Sequence, residues 1–150
     1  MVAVLALAGP AMGCEVPAGL NALRSDLLNL TNADRVAAGL PALRYDARLT
    51  TAAQTQACRT ADRGRVTHRG SWFAGLGRRL RRVDYVYGMA VENLAAGQTS
   101  AAEVTTAWRT SAEHRRNTLD TRAREVGFGI ARAEDGWLHW SMVAAAPRGS

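Results

Sequence analysis

Glu125-Val126-Gly127-Phe128-Gly129-Ile130, then Glu134-Asp135-Gly136, then Trp137-Leu138-His139-Trp140-Ser141-Met142-Val143-Ala144 is the stretch that decides the fold class. Val126, Phe128 and Ile130 alternate with Glu125, Gly127 and Gly129, a period of two that predicts a strand. Trp137 to Ala144 reads as a second strand, and Glu134-Asp135-Gly136 carries the turn chemistry of a hairpin between them. Upstream the period is helical. Leu20, Leu23, Leu27 and Leu30, with Leu28 beside them, predict a helix from Gly19 to Ala38, stopped by Gly39 ahead of Pro41. Asp46 is placed to N-cap a second helix from Ala47 to Arg63, which Gly64 ends. Ser100-Ala-Ala-Glu103 has the spacing of a capping box for a third helix running to Thr110, followed by a short turn holding His114. Residues 65–90, with Gly70, Gly75, Gly77 and Gly88, read as a long irregular connection holding one short helix near Phe73 to Val83. Helices first and an antiparallel hairpin last predict an α+β fold.

The chain has 150 residues, enough for one domain with a core of its own. Its net charge is +6, every basic residue is arginine, and the excess is local. Residues 59–82 hold eight arginines against the single acid Asp62, a net +7, while the rest of the chain sums to −1. That contrast argues against a uniformly basic nucleic-acid coat protein. It marks Arg78, Arg79, Arg81 and Arg82 as a candidate basic patch for an anionic partner such as phospholipid or glycan.

Met1 to Met12 is almost wholly apolar and too short to span a bilayer. It resembles the apolar region of a secretory signal, with Ala11 and Gly13 suited to cleavage before Cys14, although no Lys or Arg precedes it. The expectation is therefore a signal peptide at 1–13, a single domain at 14–150 with its core at about 20–144, a secreted location, and no transmembrane helix in the mature chain. Export would place Cys14 and Cys58 in an oxidising compartment as one candidate disulfide. Two alternatives stay open here, a lipid on Cys14 and two unpaired buried thiols.

The chemical inventory is small. No HExxH, paired CxxC, P-loop, GxGxxG or GxSxG is present, and the histidines are His68, His114 and His139. Glu92 stands among apolar residues in Met89-Ala90-Val91-Glu92-Asn93-Leu94-Ala95-Ala96-Gly97. A carboxylate there is either buried against a partner (an arginine, a charged histidine or a metal) or lines a cleft. The plainer alternative is that Glu92 and Asn93 satisfy the turn at Ala96-Gly97.

An ordered set of blocks resembles one family. Asn32-Ala33-Asp34-Arg35 is similar to its N-x-x-R helix, Thr67-His68-Arg69-Gly70 to S-H-T-G, and Glu92-Asn93-Leu94-Ala95 to G-E-N-I-A. Trp108 to Leu119 is similar to W-x-x-S-P-G-H-R-x-N-I-L, Val126-Gly127-Phe128-Gly129 to I-G-V-G, and Leu138-His139-Trp140 to the final Y-W-T-Q strand. The family is the CAP superfamily (cysteine-rich secretory proteins, antigen 5 and pathogenesis-related 1), in its small bacterial branch.

The resemblance implies an α-β-α sandwich with a small antiparallel sheet between helical layers, and a cleft where His68, Glu92 and His114 fall on the family's His and Glu positions. Val91, Ala112 and Glu113 replace a glycine, a proline and a glycine of the pattern, and Ser111 stands where the larger branch has a second glutamate. Two imidazoles and a carboxylate suit Zn²⁺, with His68 and His114 as metal ligands. Two functions follow as expectations. One is an envelope binding module for an anionic lipid or glycan. The other is a metal-dependent hydrolase using His68, Glu92 and His114. His139, Trp108 and Trp140 are expected to serve packing.

Overall fold

The computed structural model describes residues 14–66 and 72–149, so the candidate signal segment 1–13 and His68 lie outside the described residues. The elements are α1 (Leu20–Ala37), β1 (Arg44–Tyr45), α2 (Ala47–Asp62), α3 (Trp72–Arg82), β2 (Tyr87–Ala96), α4 (Ala101–Thr110), α5 (Ala112–Thr118), β3 (Glu125–Arg132) and β4 (Leu138–Pro147). The strands form one sheet in the order β1-β3-β4-β2. β3 with β4 and β4 with β2 are antiparallel, while the two-residue β1 runs parallel to β3, so the sheet is mixed where a purely antiparallel one was expected.

The helix boundaries follow from their caps. Asp46 Oδ1 accepts from the backbone N–H groups of Arg48 (2.8 Å) and Leu49 (3.1 Å), two orphan donors of α2. Ser100 Oγ accepts from Glu103 N at 3.2 Å, and the Glu103 carboxylate reaches back to Thr99 N at 2.7 Å, one residue beyond the usual capping-box partner. Helix α1 ends with Leu40 N bonded to Arg35 O and Gly39 in the left-handed region.

The sheet separates two apolar layers. On one face Val126, Phe128 and Ile130 of β3 and Trp140, Met142 and Ala144 of β4 pack with Leu27, Val104 and Trp108 from α1 and α4. On the other, Val143 and Ala145 pack with Leu49, Ala52, Ala53, Leu76 and Leu80 from α2 and α3. This is the expected α-β-α sandwich. Glycine sets the depth of the second interface. A Cβ built on Gly127 would overlap the Leu49 carbonyl carbon and Thr50 N, and one on Gly129 would overlap the Ala53 carbonyl group and Gln54 N. The backbone of α2 therefore lies directly on β3, and Gln54 bonds both the N–H and the C=O of Ile130 there.

The N-x-x-R block is a brace. Asn32 closes a reciprocal pair with the backbone of Leu43 (2.7 and 3.0 Å). Arg35, fully buried, donates to the carbonyls of Pro41, Thr118 and Asp120. One guanidinium thus ties α1 to the loop after it and to the end of α5. Cys14 and Cys58 form a disulfide with Cα atoms 5.3 Å apart, which fastens the chain before α1 to α2. The sulfur of Cys14 is used in that bond, so no thiol remains there to carry lipid.

Strand β2 was not foreseen, because residues 65–90 read as irregular and no strand period was assigned to residues 91–97. The end of α3 explains part of that. Tyr85 N bonds Leu80 O and Asp84 N bonds Arg81 O, a Schellman closure whose left-handed residue is Asp84 (φ 54°) in place of the usual glycine. An L residue in that region carries a steric cost that exceeds the extra chain entropy of glycine. Asp84→Gly is therefore expected to stabilise the fold by about 0.5 kcal/mol, read as a higher midpoint in urea at unchanged slope.

Candidate functional site

Glu92 and Asn93 sit next to each other on β2 and so point to opposite faces of the sheet. Glu92 lies opposite Val143 and faces α2 and α3. Its Oε1 accepts from both Nη1 and Nη2 of Arg79 at 2.7 Å, and both side chains are nearly inaccessible, 4% and 3% exposed. Arg79 also donates to the carbonyls of Ala52 and Gly75. Burial raises the Glu92 carboxyl to about 7, against the opposing pull of Arg79 and of the more distant Arg59. Burial likewise lowers Arg79, with Glu92 holding it up.

This pair changes one sequence expectation and bears out another, that a buried Glu92 would need a partner such as arginine. Arg79 does not belong to a surface patch, since it is buried as the counter-ion of Glu92. Arg78, Arg81 and Arg82 remain exposed on α3. Glu92 Oε1 is held by the Arg79 guanidinium, and that charge beside the carboxyl opposes the approach of a cation. Among the described residues no three His, Cys, Asp or Glu side chains come together as ligands. His68, one of the two histidines expected to hold Zn²⁺, lies outside them.

Asn93 faces the other way, into the α4–α5 layer. Its Nδ2 donates to His114 O (2.9 Å) and Thr118 Oγ1 (3.2 Å), and its Oδ1 accepts from Asn117 Nδ2 (2.9 Å). Asn117 Nδ2 also donates to Glu92 O, and Trp108 Nε1 donates to Leu94 O. The E-N and H-R-x-N blocks thus lock α5 onto the outer border of β2, and they fix the position of His114 through its backbone. Ser111 N-caps α5 by accepting from His114 N at 3.5 Å.

A groove of about 540 Å³ runs along this border. Gly64, Arg65 and Val66, after α2, form one side. Ser111 and His114 of the α4–α5 layer form the other, above Leu94, Ala95 and Ala96. Trp137 also lines the groove. Glu92 is not among the lining residues, so the groove contains His114 without the Glu92 carboxylate. A smaller cavity of about 220 Å³ lies between α1 and α4–α5, beside the Asp34–Arg109 ion pair.

His139 lies in β4, 1% exposed, and burial lowers its pKa, so it sits in the sheet as a neutral packed group. Trp108 and Trp140 are core residues, as expected. Trp137 was read only as the first residue of a strand. Its exposure has no signal in the sequence, because it depends on the hairpin turning its ring onto Gly97.

A three-layered α-β-α sandwich with α5 pinned to the sheet border is the architecture of small extracellular SCP domains. An extracellular SCP-domain protein of Bacillus anthracis superposes with a TM-score of 0.72 at 25% identity, over 84% of this chain and 41% of that one. An outer surface protein of Borrelia burgdorferi superposes with a TM-score of 0.73 at 21% identity, over 91% of this chain and all of the other. The chain belongs to the cysteine-rich secretory protein family, CAP, whose profile matches residues 28–144. YkwD of Bacillus subtilis, itself described as uncharacterized, is 28% identical over 123 residues, which is 82% of this chain. The chain spans about half (48%) of that relative's length. Among the described residues no helix is long and apolar enough to cross a membrane.

Proposed function

We propose that the chain is an extracellular binding module of the cell envelope, taking an anionic component in the groove beside β2. The observation that carries this reading is the division of labour around β2. Glu92 is committed to Arg79 inside the fold, while the groove on the border displays Arg65, His114 and an exposed indole. A buried, arginine-bound carboxyl is poorly placed to activate water, so binding is favoured over the metal-dependent hydrolase that His68, Glu92 and His114 would form. The Cys14–Cys58 disulfide and the extracellular relatives support the location.

The test is co-sedimentation of the full chain with anionic phospholipid vesicles and with purified cell-wall sacculi. Replacing Arg65, Arg78, Arg81 and Arg82 together by alanine, and leaving Arg79 in place because it is structural, is expected to weaken pelleting about tenfold or more. Rising salt should weaken the wild type in the same way. Equal pelleting of variant and wild type, or no pelleting with either surface, would overturn the reading.

A further inference from the structure

Trp137 is 59% exposed, unlike Trp108 and Trp140 at 2% or less. One exposed apolar side chain is ordinary on a folded surface, but this one lines the groove. This ring is also held in place. The Trp137 N–H donates to Asp135 Oδ1 at 2.9 Å, and its carbonyl accepts from Ala133 N at 2.9 Å. The six-membered ring lies over Gly97 (φ +96°), so closely that a Cβ there would come within 3.3 Å of Cε3 and Cζ3. Gly97 therefore provides both the turn and the space for the indole. The result is a flat aromatic platform in the groove wall, in the same wall set as Arg65 and His114. Gln98 lines the groove beside it.

From this we infer that the groove binds an acidic saccharide, with Trp137 stacking on the apolar face of a sugar ring and Arg65 pairing with its carboxylate. This rests on the binding-module reading and names the ligand class for the same groove. A pyranose has a face of C–H groups that suits an indole and a rim of hydroxyls that suits a polar groove wall. The groove volume is that of an ordinary small-ligand site. An extended peptide is the poorer fit. Strand addition needs free main-chain acceptors on β2, and the carbonyls of Glu92 and Leu94 are already taken by Asn117 and Trp108.

The probes are oligogalacturonate and its carboxyl-reduced, neutral counterpart, titrated into the full chain by calorimetry and by tryptophan fluorescence. Wild type should bind the acid form more tightly and shift its indole emission. Trp137→Ala should weaken both probes about tenfold, while Trp137→Phe should retain part of the affinity. Arg65→Ala should remove the preference for the acid form and leave the neutral affinity unchanged. Thermal melts show whether each variant remains folded. Unchanged affinity in Trp137→Ala, or no binding of either saccharide while vesicles or sacculi still pellet the protein, would overturn this inference and leave the binding module standing. Absence of both kinds of binding would overturn both.

Discussion

Gly129→Val is expected to abolish the stable fold, lowering stability by more than about 3 kcal/mol, the upper end for overpacked cores. The reason is backbone against backbone. A Cβ at this position overlaps the Ala53 carbonyl group and Gln54 N, and neither can move as a side chain would. Relief would require α2 to lift from β3, breaking the two Gln54 bonds to Ile130 and opening the layer around Leu49, Ala52 and Ala53. Because a domain of this size is stable by roughly 5–15 kcal/mol, such a loss should appear as a collapsed urea midpoint or as insoluble protein. Gly75→Ala makes the control. Gly75 lies in α3 with open space around it, so alanine should stabilise by about 0.5 kcal/mol through helix propensity. Tolerance of Gly129→Val would contradict the close approach of α2.

Glu92→Ala should cost about 3–5 kcal/mol, the penalty for leaving one member of a buried ion pair uncompensated. Arg79 would then be buried against two carbonyls and no counter-charge. Glu92→Leu combined with Arg79→Met should recover most of that loss, since removing both charges also removes their desolvation. The pair makes stability depend on pH with a definite sign. The folded Glu92 carboxyl titrates at about 7, above its ordinary value of 4.5, so the folded state holds more protons than the unfolded state between those values. Its contribution is therefore fully present below about 4.5 and is lost as pH rises through about 7. Glu92→Gln should flatten the stability profile across that window, measured by urea melts at pH 4.5 to 8. A wild-type profile with the same slope as the variant would show that Glu92 does not titrate there.

Much of the fold was legible before the structure. Asp46 and Ser100 mark their helices because a short acceptor side chain is the local answer to orphan N–H groups, and β3 and β4 announce themselves by period two. β2 was hidden because both of its faces are used. Ala90 and Leu94 pack or lie toward α2 and α3, while Met89, Val91 and Ala95 face the opposite layer, so polarity does not alternate. The polar residues Glu92 and Asn93 interrupt any apolar period, and each bonds a different layer. Arg79 was legible in principle. Leu76, Arg79, Leu80 and Val83 share one helical stripe, which places this arginine inward while Arg78, Arg81 and Arg82 face out. Among four near-consecutive arginines, charge alone could not show which one was buried. The link between Trp137 and Gly97, 40 residues apart, belongs to tertiary structure and left no local trace.

The side chains that pin α5 to β2 have a consequence for how copies of this chain meet. An outermost strand ordinarily offers a row of vacant acceptors on which another molecule can lengthen the sheet. Here Asn117 and Trp108 fill two successive positions of that row, and the opposite margin of the sheet is only the two-residue β1. Residues that hold a helix in register thereby also act as gatekeepers against edge-to-edge growth of an alanine-rich sheet.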